Sequence, residues 1–485
     1  MNKIMKSWVL LNLKYNLNYA GNVTETTCLS DCCTGPVQDR SCVFTNLYFF
    51  NGEFYILANA ENTPKNESIR TLTYSRNPRR KEPAVLATDF QWVRGLFQPK
   101  MTTVLGPNTT TKTGTYLFLT RSTPFNWGHT VLDDLLPIYH SLLEHNFPHN
   151  LSFAIVNHMF DRPSSDSASN EEILKVFSGN EMQWLGLYPQ DIWICFEKFI
   201  VGSGQKGARS VNKNYQINGE KLNLLNFFRN RFYERYNYTA PIPRSSSLGT
   251  RAKNATLSAI FIVNKRDLGS IDAHVQAING GVRASKVDLS RIPFAQQLLV
   301  FRTTDIYISG VGTAITACFL LPDGAIVINL GGHHIRSHAQ SKIIGYWEEN
   351  IAGSINWVRS LFYNMIVRRN NGILAHEISS LVAQAEDLIR SNFSIPVQDL
   401  YAPVFINLSP VGRVVAEYFS KDEKAWGVLT GAFPPNLEDS NPAKCLVWAE
   451  DIVCGDQFFS DKCSSLNASF LDNLRKKHEM QGVCS

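Results

Sequence analysis

A histidine and a carboxylate stand four residues apart in the segment FNWGHTVLDDLLPIY, at His129 and Asp133. On an α-helix this spacing puts the two side chains on one face, where the carboxylate can orient the imidazole as a general base. The same pair also suits a purely structural role, in which the aspartate only holds the histidine near the start of a helix. Both interpretations stay open on the spacing alone.

A second candidate site lies in the segment SGVGTAIT, where Gly310 and Gly312 lead from a predicted strand into a predicted helix that starts near Thr313. Glycine lets the backbone approach a ligand closely, and free N–H groups at a helix start favour a phosphate. The candidate donors are the N–H groups of Gly312, Thr313 and Ala314. The alternative is a GxG turn that serves only tight packing between the strand and the helix.

Metal ligands are a third possibility, because His334 and His338 stand four residues apart, as metal ligands on a helix do. The segment lacks the glutamate of an HExxH pattern and follows a Gly-Gly pair, which favours a loop at the lip of a cleft. No DxD follows a predicted strand. The sequence therefore predicts a protein that needs no metal and no other bound cofactor.

The composition is that of a globular protein, since 44% of the 485 residues are hydrophobic and 18% are charged. A chain of this length suits two or three domains. The formal net charge of +5 is small for this length and gives no indication of a nucleic-acid partner. No G-x-S-x-G segment supports an α/β hydrolase.

The cysteines indicate an oxidising compartment. Apart from Cys195 and Cys318, they cluster toward the two ends of the chain, as disulfide-forming cysteines would, and neither cluster has the paired CxxC spacing of zinc sites. Their pairing stays open. The clustered residues are Cys28, Cys32, Cys33, Cys42, Cys445, Cys454, Cys463 and Cys484.

Asparagine sequons support the same compartment, because N-x-S/T triplets are acceptors of N-linked glycans in the secretory pathway. We therefore expect the lumen of the endoplasmic reticulum or Golgi. A membrane anchor is not evident, because the apolar stretch near the start runs only from Trp8 to Leu11. The sequon asparagines are Asn22, Asn66, Asn108, Asn150, Asn237, Asn254, Asn392, Asn407 and Asn467.

Alternating strand and helix patterns predict two α/β halves, each with a mostly parallel sheet. Pro, Ser and Gly in the segment 241–250 predict the linker between them, and Ser290 is the predicted cap of the helix from 294 to 301. The predicted strands are 115–121, 152–157, 191–202, 258–263, 283–289, 305–310 and 325–330. The other predicted helices are 127–146, 171–177, 222–236, 272–278, 313–320 and 377–390.

Four regions are predicted on this basis. Residues 1–95 form an N-terminal cysteine-bearing extension, and 96–245 form the N-terminal α/β half. Residues 251–375 form the C-terminal α/β half, and 376–485 form a helix followed by a cysteine-rich tail.

Three segments, in this order, resemble glycosyltransferase family 61. The first, with His129, Asp133, Leu135 and Pro137, is similar to the pattern N-x-x-H-x-x-x-D-x-L-x-P. The second, VNKRD (263–267), falls where the family has a strand end with basic residues. The third runs from 294 to 330 and resembles a glutamine-bearing helix, a strand, HGAxLT and FLPPGxxVxEL. Its matching parts are Gln296 and Gln297, GTAIT (312–316) and FLLPDG (319–324).

The resemblance implies a GT-B-like α/β fold, in which two Rossmann-like halves enclose a cleft and the cysteine-bearing N- and C-terminal extensions lie outside them. It also implies transfer of a sugar, with inversion, from a nucleotide-sugar donor, often UDP-linked, to a hydroxyl of a glycan or glycoprotein. The C-terminal half would hold the donor and the N-terminal half the acceptor. We expect Lys265 or Arg266, with the N–H groups of Gly312, Thr313 and Ala314, to stabilise the departing diphosphate. His129 with Asp133 would be the base.

Two positions depart from the family pattern. Val311 stands where the family has the histidine of HGA, and Asn329 stands where it has the glutamate of VxEL. If these residues contact the donor's phosphates and ribose, both contacts are lost or are supplied by other residues, such as His333 or His334. The alternative function is therefore that of a catalytically degenerate relative, which binds a glycan or a nucleotide without turning it over.

Overall fold

The computed structural model of the chain describes residues 25–29, 41–58, 71–74, 94–97, 99–121, 127–136, 139, 142, 152–157, 172–179, 182–201, 215–217, 220–222, 224–239, 255–263, 271–310, 312–331, 334–336, 339–341, 355, 357–364, 371–391, 393, 407–409, 413, 469, 473, 476 and 477. The chain divides into two compact units. The first unit comprises Met1–Arg209 and Thr430–Ala443, and the second comprises Ser210–Leu429 and Lys444–Ser485.

The first unit contains ten described strands and three short helical segments. The helical segments are α1 (Trp127–His129), which continues as a π-helical turn (Thr130–Leu135), a single helical turn at 172–174, and a 3-10 turn (Leu185–Leu187). The strands are β1 (Glu25–Leu29), β2 (Ser41–Phe50), β3 (Glu53–Leu57), β4 (Thr71–Tyr74), β5 (Arg94–Phe97), β6 (Lys100–Thr102), β7 (Thr109–Arg121), β8 (Ser152–Asn157), β9 (Gln183–Trp184) and β10 (Trp193–Val201).

Eight of these strands form a mixed sheet in the order β6-β3-β2-β10-β7-β8-β9, with β1 also paired to β2. The pairs β10–β7, β7–β8, β8–β9 and β3–β6 are parallel, whereas β2 runs antiparallel to β1, β3 and β10. An Asn51-Gly52 turn joins β2 to β3. Both of its residues have positive φ, as a two-residue hairpin turn of type I′ requires.

Aromatic side chains fill the core of the first unit. Phe199 of β10 is fully buried, and its ring lies 5.1 Å from that of Phe54, 5.9 Å from that of Phe118 and 4.7 Å from that of Phe196. These rings come from three different strands, so their packing fixes how β3, β7 and β10 face one another.

The second unit contains nine described strands and five described α-helices. The strands are β11 (Tyr215–Ile217), β12 (Glu220–Leu222), β13 (Leu257–Ile262), β14 (Val282–Val287), β15 (Ile306–Ser309), β16 (Ala325–Asn329), β17 (His334–Arg336), β18 (Ala339–Ser341) and β19 (Val358–Phe362). The helices are α2 (Leu224–Arg235), α3 (Ile271–Gln276), α4 (Phe294–Thr303), α5 (Thr313–Thr316) and α6 (Ala375–Arg390), with 3-10 turns at Leu289–Arg291 and Ala317–Leu320.

Five strands of the second unit form an entirely parallel sheet in the order β14-β13-β15-β16-β19. The central strands β15 and β16 are buried along their whole length, as expected for a sheet covered on both faces. On α6, the buried residues Ile378, Val382, Ala385 and Ile389 recur at helical spacing and join the same core. The mixed α/β class predicted from the sequence is confirmed, with parallel pairing in both sheets.

Three regional boundaries differ from the sequence-based division. β2 and β3 lie within the region predicted as an extension, yet they pair in the first unit's sheet, because apolar residues such as Phe44 and Leu47 are fully buried there. Helix α2, predicted for the N-terminal half, belongs to the second unit, and α6, predicted for the terminal region, packs in the second unit's core. The predicted linker 241–250 lies outside the described residues.

Two local predictions are corrected, at Ser290 and in the helix 171–177, and the helical alternative for His334 is excluded. Pro293, rather than Ser290, precedes the first turn of α4, while the Asp288 side chain accepts a hydrogen bond from the Ser290 N–H and caps a 3-10 turn. His334 opens strand β17 and so is not helical, which removes the helical basis of the His334–His338 pair; His338 lies outside the described residues. Of the predicted helix 171–177, the described residues 172–174 are helical and a turn follows at 175–176, whereas residue 171 lies outside the described residues.

Candidate functional site

Two segments with predicted site residues follow the carboxyl ends of neighbouring strands in the second unit's sheet. β13 ends at Ile262 and leads toward Lys265 and Arg266, and β15 ends at Ser309 and leads into Gly310. The two strands are parallel and paired, with Phe261 opposite Ile308. Their carboxyl ends therefore lie side by side. Lys265 and Arg266 themselves, and Val311, lie outside the described residues.

This edge is also where the strand order reverses. From β13 the chain goes outward to β14, then returns past β13 to form β15 on its other side. In open α/β sheets, ligands bind in the crevice outside the carboxyl ends of the strands at such a reversal, because the two connections leave on opposite faces and open a gap. The fold thus places the carboxyl end of β13 and the turn after β15 at the position where this architecture binds ligands.

Gly312 has a backbone conformation that only glycine adopts readily. Its φ is 121° and its ψ is −172°, a region that a Cβ atom disfavours. Gly312 precedes the first turn of α5, and its carbonyl oxygen accepts a hydrogen bond from the Ile315 N–H at 3.2 Å. The second glycine of the GxG turn is therefore required by the path of the chain.

The side chain of a tyrosine in β15 is hydrogen-bonded to the residues that follow this turn. The Tyr307 hydroxyl donates a hydrogen bond of 2.6 Å to the carbonyl oxygen of Ala314, and the Tyr307 side chain is fully buried. The Thr316 hydroxyl also donates to the Thr313 carbonyl oxygen at 2.6 Å. Thr313 and Ala314 remain partly exposed, whereas Ile315 is buried. Buried side chains thus hold the turn, and its partly exposed residues are Thr313 and Ala314, since Gly310 and Gly312 are buried.

Asn329, at the end of β16, uses its side chain to shape the local backbone. Its Oδ1 atom accepts a hydrogen bond of 2.8 Å from the N–H of Gly331, which is an Asx turn, and Gly331 has a φ of 63°. The Asn329 side chain is buried, and its residue pairs with Ser309 of β15 in the parallel register. At this position, where the resemblance predicts a glutamate, the chain therefore has an amide that is already engaged with its own backbone.

Helix α2 fixes the segment that follows α5. The Arg229 guanidinium, only 3% exposed, donates from Nη1 to the Leu321 carbonyl oxygen at 3.0 Å and pairs with Asp323 at 2.8 Å. It also lies over the ring of Trp357, 4.6 Å from its centroid. The Tyr233 hydroxyl donates to the Leu320 carbonyl oxygen at 2.7 Å. These contacts anchor the last residue of the 3-10 turn and the residues that follow it.

His129 and Asp133 belong to the first unit, at the end of α1 and inside the π-helical turn. In a π-helix the N–H bonds the carbonyl five residues back, so four residues fall just short of one turn instead of just beyond it. The two backbone positions therefore still lie near one face, although not for the α-helical reason given by the sequence. Their side chains lie outside the described part of the chain.

Burial raises the pKa of two groups near α5, the hydroxyl of Tyr307 and the thiol of Cys318. It raises the pKa of the Cys318 thiol to about 12 and raises the pKa of Tyr307 well above its ordinary value, with the Cys318 charge as a further cause for the tyrosine. Both groups therefore stay protonated at neutral pH. The Tyr307 hydroxyl can then act only as the hydrogen-bond donor that holds Ala314.

Two features are absent from the described residues, a metal-binding cluster and a membrane-spanning helix. No group of three or more His, Cys, Asp or Glu side chains is placed there to hold a metal ion. In the same part of the chain, no helix combines the length and the apolar character needed to cross a membrane.

Comparisons with known proteins add no assignment. No model of a known protein family matches the chain, and no curated protein matches it.

Sequence reasoning found the GxG turn and singled out Asn329, but it missed Tyr307, which is bonded to the turn, and Arg229, which anchors the segment after α5. Tyr307 and Arg229 each carry a polar group into an otherwise apolar environment. A buried tyrosine or arginine needs a hydrogen-bond partner, so a tyrosine inside the apolar strand DIYIS was a usable signal. The partner, Ala314, could not be identified because it depends on how the chain turns after β15.

Proposed function

We propose that this protein is a glycosyltransferase that moves a sugar from a nucleotide-sugar donor, of UDP type, to a hydroxyl of a glycan or glycoprotein, with inversion. The observation that carries the proposal is the reversal of strand order between β13 and β15. The predicted donor-binding segments follow exactly these two strands, so one crevice would receive both. In this proposal the fold is GT-B-like, with the second unit on the donor side.

The donor's diphosphate is the group this crevice would hold. Lys265 or Arg266 would contribute positive charge after β13, and Gly312, Thr313 and Ala314 would contribute backbone N–H groups after β15. Because α5 has only four residues, its dipole adds little, and the charge and the N–H groups must supply the attraction. These interactions strengthen as the bond between sugar and diphosphate breaks.

His129 would be the base on the acceptor side. It would take the proton of the acceptor hydroxyl, whose oxygen attacks the anomeric carbon on the face opposite the diphosphate. The carbon–oxygen bond to the diphosphate then breaks, and the nucleoside diphosphate leaves with the electron pair. Asp133, one turn further along, would hold the imidazole in the orientation that accepts the proton.

The proposed compartment is the lumen of the endoplasmic reticulum or Golgi. Asn108 and Asn237 begin sequons and are exposed, so both are accessible to glycans. Asn237 lies just past α2 with a φ of 56°, a position that asparagine tolerates well.

The first experiment tests donor binding by calorimetry with UDP, in the wild type and in Arg266→Ala. Losing a charge-assisted contact to phosphate should weaken binding by at least about tenfold. Arg283→Ala is the matched control, because Arg283 is exposed on the edge strand β14 and precedes that strand's carboxyl end. Equal UDP affinity in wild type and Arg266→Ala would refute the donor assignment of Arg266.

The second experiment separates binding from chemistry. His129→Ala should bind UDP as the wild type does but should lose transfer from a UDP-sugar to an acceptor glycan, by about 100-fold or more. Normal turnover in this variant would exclude His129 as the base. Activity should persist in EDTA, and a complete loss restored by manganese would contradict the metal-independent mechanism.

A nucleotide- or glycan-binding relative without turnover is the second candidate function. The Asx turn of Asn329 favours it, because this amide is engaged with Gly331 and supplies no carboxylate to a ribose. Binding of a nucleotide with no product on any acceptor would decide for this function. In that case we expect that Asn329→Glu alone does not restore sugar transfer.

A further inference from the structure

The backbone pairs two of the N-terminal cysteines across a pair of strands. β1 and β2 are antiparallel, and their register places Cys28 directly opposite Cys42. The neighbouring pairs, Thr27 with Val43 and Leu29 with Ser41, continue the same register on both sides. Cys28 and Cys42 are therefore the fourth of five pairs, and one further pair follows them before the pairing ends.

The register of β2 is fixed independently on its other side. Along that edge β2 pairs antiparallel with β10, where Cys42 stands opposite Val201. Seven residue pairs join β2 to β10, and the fully buried Phe44 and Leu47 hold β2 in the sheet by packing in its core. With β2 fixed, the position of Cys28 depends only on the five residue pairs between β1 and β2.

This placement satisfies the main requirement for a disulfide. Directly opposite residues of an antiparallel pair have Cα atoms about 4.5 to 5.5 Å apart, depending on whether the pair is hydrogen-bonded. Disulfides span Cα distances of about 4.4 to 6.8 Å, so either kind of pair is suitable. Cys32 and Cys33 belong to the connection between β1 and β2 and take no part in the register.

We propose that Cys28 and Cys42 form a disulfide that fastens β1 to the edge of the first unit's sheet. Each thiol loses a proton and, together, the two sulfurs lose two electrons to a disulfide oxidant such as oxidised glutathione, which leaves as two thiols. Within the described residues β1 pairs with β2 alone, so this bond would be its covalent attachment to the sheet. This inference is independent of the proposed transfer reaction.

Peptide mapping of the full chain tests the bond directly. The purified protein is equilibrated with oxidised and reduced glutathione, blocked with N-ethylmaleimide, deglycosylated and digested without reduction. Trypsin cuts after Arg40 and Lys65, which leaves Cys42 as the sole cysteine of its peptide. Asp-N cuts before Asp31 and so separates Cys28 from Cys32 and Cys33. We expect the Cys28 and Cys42 peptides to be linked, and to separate after reduction.

Cys42 blocked by N-ethylmaleimide, or linked to any other cysteine, would overturn the proposal. The Cys32→Ser variant is the matched control, and it should keep the link between Cys28 and Cys42. This mapping on the wild-type chain decides the question even if a variant fails to fold.

Melting temperatures give a second, independent readout. Cys28→Ser, Cys42→Ser and the double variant should all melt about 3 °C or more below the wild type, and by the same amount as one another. Two residues that act only through one shared bond cannot have additive effects. A double variant that loses the sum of the two single losses would contradict the bond.

Discussion

At the scale of single residues, the buried Asn407 shows how a sequence motif and a structural role can coincide. It begins an N-x-S sequon, yet its side chain is fully buried. Its Nδ2 atom donates to the carbonyl oxygens of Ile355 and Val358 at 3.0 and 2.9 Å, and its Oδ1 atom accepts from the Ser360 N–H at 2.9 Å. The amide thus satisfies three backbone groups around the start of β19.

Replacing Asn407 should therefore destabilise the protein strongly. Asn407→Ala leaves three buried backbone groups without these partners, and we expect a loss of about 2–4 kcal/mol in the free energy of unfolding. Urea unfolding measures this loss, with Asn108→Ala as a control at an exposed sequon. A loss no larger than that of the control would show that the three hydrogen bonds contribute little.

The same geometry predicts the pattern of glycosylation. A glycan attached to Nδ2 of Asn407 would remove one of its donor hydrogens and could not fit a buried site. When the chain is made in a secretory host, we expect glycans at Asn108 and Asn237 and none at Asn407. Mass spectrometry after enzymatic deglycosylation in heavy-oxygen water reads out each site, and a glycan on Asn407 in folded protein would contradict its burial.

Cys318 should make stability depend on alkaline pH. Burial raises the pKa of its thiol from 9.0 to about 12, so above pH 9 only the unfolded chain ionises readily. The stabilisation is complete below the unfolded pKa and is lost as the pH rises toward the folded pKa.

This loss can be measured against a variant without the thiol. From about pH 8 to about pH 10, the wild type should lose about 1.4 kcal/mol more than Cys318→Ala does in the free energy of unfolding. Urea unfolding at the two pH values gives the difference. An identical pH dependence in the two proteins would show that Cys318 ionises as easily when folded as when unfolded.

At the scale of elements, the turn between β15 and α5 links the fold to the proposed site. Gly312 has a φ that disfavours any side chain, and Tyr307 fixes the same turn through Ala314. The candidate donor groups are backbone N–H groups, so their direction depends on the path of the chain more than on side-chain identity. A change in that path should therefore impair binding more than stability.

Gly312→Ala tests this idea. The strain of an alanine at this φ should cost about 1–3 kcal/mol or displace the turn, and UDP binding should weaken by at least about tenfold. Gly324→Ala is the matched control, because Gly324 also has a positive φ, of 82°, but lies before β16, at the opposite edge of the sheet. Calorimetry should show unchanged UDP affinity in the control. Equal weakening in both variants would mean that the effect reflects general destabilisation.

At the scale of the whole molecule, each unit has its own core, and among the residues whose side chains are described each has one buried thiol. Cys195 lies in the first unit and Cys318 in the second, and burial raises the pKa of both thiols. A buried, protonated thiol reacts slowly with alkylating agents, so each should stay unlabelled until its unit unfolds. The two thiols are therefore separate probes of the two units.

Because each unit has its own core, we expect the two units to unfold with different midpoints in urea. Pulse labelling with N-ethylmaleimide across a urea gradient, followed by peptide mass spectrometry, should give different midpoints for Cys195 and Cys318. Gly324→Ala should lower the Cys318 midpoint and leave that of Cys195 in place. Coincident midpoints that shift together in this variant would show that the two units unfold as one.

The sequence by itself determined the class of the fold and many of its elements. The strand SFAIVN was predicted at 152–157 and is observed there, and the predicted strands before and after the GxG turn correspond to β15 and β16. Apolar runs bounded by glycine or polar residues specify a buried strand locally, so no distant contact is needed to recognise one. Whether the chain is a glycosyltransferase stays a prediction.

Only the tertiary structure decided which segments meet. The order β14-β13-β15, the assignment of α2 to the second unit and the register of Cys28 opposite Cys42 all depend on pairing between distant residues. The same holds for Asn407, whose partners near residue 358 lie far from it in the sequence. Local patterns show which face of an element is apolar, but many partners could cover that face. The choice among them depends on the packing of the whole core.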